Sequence, residues 1–84
     1  MQQARIVYPA HGMILALDPD IPAAMQRVYL QAEAGRGLAF VINGVRLGSA
    51  DHPLAWTPRP GQHRLQLVTG AGGVVREIGF QVRG

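Results

Sequence analysis

Residues 38–47 read Leu-Ala-Phe-Val-Ile-Asn-Gly-Val-Arg-Leu, and this stretch decides the fold. Its first half carries apolar side chains at alternate positions: Leu38, Phe40 and Ile42. That spacing is typical of a strand with one buried face. Asn43 and Gly44 come next, and both tolerate the positive φ angles of a two-residue type I′ turn. With the short strand that follows, the stretch predicts a β-hairpin.

Alternating apolar positions recur on both sides of this hairpin. They predict five further strands over residues 5–8, 13–17, 26–33, 62–69 and 74–82. Residues 18–24 hold two prolines and two aspartates, which predicts a connection or at most one helical turn. Turn residues separate the strands about every ten positions, the spacing of a two-sheet sandwich. The sequence therefore predicts an all-β sandwich of about seven antiparallel strands.

Residues 49–61 carry three prolines and no sustained period, which predicts a long crossing loop with Trp56 near its middle. A tryptophan flanked by prolines could present its ring to a sugar or a peptide. The same indole could instead cover the open end of a small core. The sequence leaves both uses open.

Length and composition predict one domain over residues 1–84 with one core. With 48% apolar and 15% charged residues, the chain does not have the composition of a disordered segment. No apolar run approaches the roughly 20 residues of a membrane helix, so we expect no direct membrane insertion. Met1 is interpreted as a start codon placed on a domain excised from a larger protein. The absence of cysteine excludes disulfides and thiol chemistry.

The net charge is +3, and all eight basic residues are arginines. They are spread along the chain at about one per strand rather than gathered in a basic run. This distribution is typical of solvated outer faces of a sheet, whereas nucleic-acid binding requires a clustered basic patch. We therefore expect no nucleic-acid partner.

No residue pattern supports catalysis or metal binding. Asp18 and Asp20 supply two carboxylates, well short of the six to eight oxygens that calcium takes. The three histidines, His11, His52 and His63, lack a spacing that pairs metal ligands. Ser49 lacks the second glycine of a nucleophile elbow, and the glycine-rich residues 70–73 precede no helix. The sequence predicts no catalytic residue, no metal and no cofactor.

The order of motifs resembles the C-terminal domain of class A penicillin-binding proteins of the 1C type. The matching stretches are residues 6–12, 16–22, 26–32, 43–48, 56–65 and 80–82. The most specific is Trp-Thr-Pro-Arg-Pro-Gly-Gln-His-Arg-Leu at 56–65, which fits the family pattern W-x-P-x-x-G-x-H-x-L. Residues 70–73 depart from the family, which more often has an acidic residue before the glycine of this hairpin.

The resemblance implies an immunoglobulin-like accessory module in a parent protein with a membrane anchor, a glycosyltransferase domain and a transpeptidase domain facing the periplasm. In one hypothesis, Trp56, Arg59 and His63 bind peptidoglycan or a periplasmic protein. In another, the domain packs on the transpeptidase domain and Trp56 belongs to the core. A third possibility is a generic immunoglobulin-like interaction or spacer domain of another secreted or surface protein, because the fold alone does not determine function.

Overall fold

The computed structural model describes residues 3–84, which contain eight β-strands and one short 3₁₀ helix joined by turns and loops. The strands are β1 (Arg5–Tyr8), β2 (Ile14–Ala16), β3 (Val28–Glu33), β4 (Ala39–Ile42), β5 (Val45–Ser49), β6 (Leu54–Trp56), β7 (Gly61–Val68) and β8 (Val74–Arg83). The 3₁₀ helix covers Ala23–Met25, within the segment between β2 and β3. Its three residues agree with the predicted limit of one helical turn.

The strands form two sheets, so the predicted all-β sandwich is confirmed. One sheet has the order β1-β3-β6 and the other β2-β8-β7-β4-β5. The described residues hold eight strands rather than the seven predicted, and β2 pairs with β8 in parallel. Neighbouring strands otherwise run antiparallel. The parallel pair joins segments more than sixty positions apart, which local alternation cannot reveal.

The hairpin between β4 and β5 has the predicted two-residue turn. Asn43 adopts φ 50° and Gly44 φ 84°, and Ile42 lies opposite Val45. Positive φ at both turn residues twists the hairpin in the same sense as its strands. The prediction of a type I′ hairpin is therefore confirmed.

The core lies between the two sheets and is built from the predicted inward positions. Its fully buried large side chains are Leu30, Phe40, Leu65, Leu67, Phe80 and Val82. Burying a side chain of this size contributes about 1.5–3 kcal/mol relative to leaving it exposed. Alternation therefore predicted the main core positions of β3, β4, β7 and β8.

Strand β6 was not predicted, and the assignment of Trp56 to a loop was wrong. Leu54 pairs with Leu30, and Trp56 pairs with Val28. The three residues of β6 are too few to show a period of two, and prolines lie on both sides, so the local sequence resembles a loop. The pairing with β3 is long-range, and it gives Trp56 a fixed place at the edge of the three-stranded sheet.

Candidate functional site

Trp56 lies at the end of β6, half-buried against the core. Its ring meets that of Phe80 edge to face, with centroids 5.6 Å apart and an interplanar angle of 86°. It meets the His63 ring in a similar way, at 4.9 Å and 78°. Such aromatic pairs contribute about 0.5–1.5 kcal/mol beyond the area they bury. The indole therefore helps to close the core while part of it lines the surface.

His63 is held by hydrogen bonds at both ring nitrogens. The side-chain amide of Asn43 lies 2.8 Å from Nδ1, and the carbonyl of Arg59 lies 2.7 Å from Nε2. Because the Oδ1 atom of Asn43 already accepts a hydrogen bond from the backbone N–H of Arg64, its Nδ2 is the donor to His63. This network assigns the proton of a neutral imidazole to Nε2, which donates to Arg59. The ring thus joins the β4–β5 turn to the segment that follows Trp56.

Arg59 is exposed, and only its backbone takes part in the hydrogen bonds among residues 3–84. Its carbonyl accepts the hydrogen bond from His63, which fixes the main chain. Its guanidinium makes no hydrogen bond or ion pair with any of residues 3–84. A free guanidinium on a fixed backbone can form paired hydrogen bonds with a carboxylate.

A groove of about 410 Å³ brings these three predicted residues together. It opens between β5 and the end of β6, with Val45 and Leu47 along its other wall. No residue that lines it is acidic. We call this feature the edge groove. The structure places Trp56, Arg59 and His63 on it, and whether they bind a ligand stays a prediction.

Sequence reasoning missed the other six residues that line the edge groove, among them Asn43, Val45 and Leu47. Asn43 was recognised only as a turn residue, because its bonds to β7 join positions twenty residues apart. Val45 offered a usable signal: it faces inward by alternation yet sits at the start of a short edge strand. In the structure its side chain is 60% exposed.

A second hollow lies on the outer face of the five-stranded sheet. It encloses about 530 Å³ and lies above Gly79, with Gln62, Arg64 and Gln66 around it. Most of its polar lining is engaged, since Gln66 donates to Glu77, whose carboxylate also lies 3.8 Å from Arg64. This hollow is larger than the edge groove and shares Asn43 and His63 with it, but Trp56 does not line it.

The remaining polar candidates serve local structure. Asp18 accepts a hydrogen bond from the backbone of Asp20 at 2.9 Å, a common way for aspartate to cap a turn. The Nδ1 atom of His11 accepts one from Gly79 at 3.0 Å, so this ring is tied to β8. Among residues 3–84, no group of three or more histidine, aspartate or glutamate side chains is placed to hold a metal ion. No helix within residues 3–84 is long and apolar enough to cross a membrane.

Comparison with known proteins identifies a family. No curated protein and no solved structure matches the chain. The sequence pattern of the Penicillin-Binding Protein C-terminus Family matches residues 1–80. That range covers nearly the whole chain and includes both the 43–48 hairpin and the 56–65 motif, so the resemblance predicted from these motifs is confirmed. The chain belongs to the penicillin-binding protein C-terminus family.

Proposed function

We propose that this chain is a noncatalytic accessory module of a penicillin-binding peptidoglycan synthase. Its parent would be anchored in the inner membrane, and the module would act on the periplasmic side in cell-wall assembly. Family membership supports the accessory role. The observation that carries the binding role is the edge groove, on which Trp56, Arg59 and His63 of the 56–65 motif lie together.

We also infer that the sandwich is immunoglobulin-like. Constant-type immunoglobulin sandwiches place their first, second, fourth and fifth strands in one sheet, and their third, sixth and seventh in the other. Here β1, β3 and β6 form one sheet, while β4, β7 and β8 are neighbours in the other. This correspondence supports the assignment. The chain departs from the constant-type arrangement in two places: β2 is an added edge strand, and β5 pairs with β4 instead of joining the first sheet.

The chemistry of the edge groove suits peptidoglycan peptides. Arg59 offers an unpaired guanidinium to a carboxylate, and Trp56 with Leu47 offers apolar surface beside it. An exposed charge pair alone contributes only about 0.2–1 kcal/mol, so the apolar contacts must supply most of the affinity. We therefore assign Trp56 as the anchor and Arg59 as the residue that orients a carboxylate.

A second candidate is packing on the transpeptidase domain of the parent protein. The contacts of Trp56 with Phe80 and His63 favour it, because they give the indole a structural role without any ligand. In this case the edge groove would receive a surface loop of the neighbouring domain.

Co-sedimentation with purified peptidoglycan sacculi tests the wall-binding role. The wild-type chain is compared with Arg59→Gln and with Arg36→Gln, which removes the same charge from an exposed turn outside the edge groove. We expect wild type and Arg36→Gln to sediment equally, and Arg59→Gln to sediment less. Trp56→Phe serves as a second variant, since it keeps an aromatic ring against the core.

Two results would decide against wall binding. Equal losses in Arg36→Gln and Arg59→Gln would mean that net charge alone drives sedimentation. Wild-type chain that stays in solution with sacculi would exclude wall binding, and docking on the transpeptidase domain would then be measured directly with that purified domain.

A further inference from the structure

The edge groove lies between two strands that are each unpaired on one side. β5 ends the five-stranded sheet and β6 ends the three-stranded sheet. No backbone hydrogen bond joins the free side of either strand to another part of residues 3–84. Free strand edges present N–H and C=O groups at the repeat of another strand, and many domains bind extended peptides there.

The longer of these edges also has the side chains that a guest strand needs. β5 covers Val45–Ser49, with Leu47 as an extra residue where its pairing with β4 shifts register, whereas β6 has only three residues and ends two positions before the buried Pro58. Val45 is 60% exposed, and Leu47 is half-buried beside it. A strand paired with β5 would place alternate side chains between these residues and Trp56.

Charge distinguishes between possible occupants. The edge groove contains the guanidinium of Arg59 and no carboxylate, and Arg46 of β5 is also exposed. A second copy of this chain, paired through β5, would bring like charges together and leave Arg59 unpaired. An acidic peptide would instead supply the missing carboxylate.

We propose that the edge groove binds an extended acidic peptide, which adds a strand to the free edge of β5. The inference rests on the proposed function and narrows it, because an extended peptide carries donors and acceptors at the spacing of a strand edge, whereas a glycan does not. The peptide would pair with Val45–Ser49, insert an apolar side chain toward Trp56 and direct a carboxylate to Arg59. Only three to four paired residues fit, so the affinity is expected to be weak, at about 0.1–1 mM.

Amide NMR of the ¹⁵N-labelled chain provides the test. The first probe is the acetylated hexapeptide Glu-Val-Thr-Val-Thr-Glu, and the second is tetra-N-acetylchitotetraose. We expect the peptide to shift amides of residues 45–49 and the Trp56 indole N–H, while the sugar leaves them unchanged. Methylating alternate backbone nitrogens of the peptide should abolish these shifts, since it removes strand hydrogen bonds and keeps the charge.

Two matched arginine variants complete the test. Arg59→Gln should weaken peptide binding about threefold, the size of one exposed charge pair, whereas Arg36→Gln should leave it unchanged. A peptide that shifts no amide of β5 at millimolar concentration would overturn the inference. If sacculi or the sugar still bind through Arg59 in that case, the wall-binding function stands and only the strand-addition inference fails. If the peptide binds but the chain does not sediment with sacculi, the strand-addition site stands and the wall-binding function fails.

Discussion

Replacing Asn43 with alanine removes a side chain that connects the β4–β5 turn to β7 and leaves the backbone connection in place. The backbone N–H of Asn43 donates to the carbonyl of Arg64 at 2.9 Å, and its side-chain oxygen accepts from the N–H of Arg64 at 2.9 Å. The side chain thus completes one more rung of the β4–β7 ladder beyond Ile42 and Leu65. Its amide also donates to His63.

The expected loss of stability follows from two terms. Two side-chain hydrogen bonds contribute about 1 kcal/mol each. Alanine at φ 50° adds about 1 kcal/mol, because a residue with a β-carbon other than asparagine or aspartate is disfavoured in the left-handed region. Asn43→Ala should therefore lower the free energy of unfolding by about 3 kcal/mol. Asn43→Gly keeps the favourable φ and should lose about 2 kcal/mol.

Urea denaturation followed by the fluorescence of Trp56, the single tryptophan, measures both variants. A chain of this size unfolds with a slope of about 1 kcal/mol per M urea, so the alanine midpoint should fall by about 3 M. The slope should not change. An alanine variant as stable as the glycine variant would refute the strain argument, and two variants as stable as wild type would refute the role of the side-chain bonds.

Two more predictions concern stability and charge. Gly35→Ala should lower the free energy of unfolding by about 3 kcal/mol, because its new β-carbon would lie 2.6 Å from the carbonyl oxygen of Ala50. In the same urea assay the control Gly70→Ala, whose β-carbon meets open space, should be neutral or slightly stabilising. Equal effects of the two substitutions would contradict the close packing of Gly35 on Ala50. The hydrogen bond from Arg5, followed by the charge of Arg5, lowers the pKa of Glu33 below its usual value. The attraction between the two side chains therefore stabilises the fold at pH values above the usual pKa of glutamate. This stabilisation is lost as the pH falls through the lowered pKa of Glu33. Carboxyl NMR titration should show a lower pKa for Glu33 in wild type than in Arg5→Gln, and identical values would rule the interaction out.

Local geometry explains which parts of the fold the sequence could predict. The Asn43–Gly44 turn is specified by φ preferences of two adjacent residues, and the core of β7 and β8 by alternation over eight to ten residues. Both signals lie within one element. The strand β6 and the parallel pairing of β2 with β8 depend instead on partners distant in sequence, so no local pattern indicates them.

The candidate site shows the same division. Trp56, Arg59 and His63 stood out because their residue types and the proline-rich motif were unusual. Their arrangement depends on Asn43, whose side chain reaches across from another hairpin. The sequence could therefore name three members of the edge groove but could not predict that a turn asparagine fixes the orientation of His63.

Arg59 is the residue at which binding can be separated from stability. Trp56 packs on Phe80 and His63, so its removal changes the core and the groove together. Truncating a packed tryptophan costs about 3–5 kcal/mol, comparable to the whole stability expected for so small a domain. Arg59 instead contributes its carbonyl to the fold, while its guanidinium makes no hydrogen bond or ion pair within residues 3–84. Because glutamine preserves that carbonyl, a loss of binding in Arg59→Gln reports on recognition, whereas the same loss in Trp56→Ala would not distinguish a missing contact from an unfolded domain.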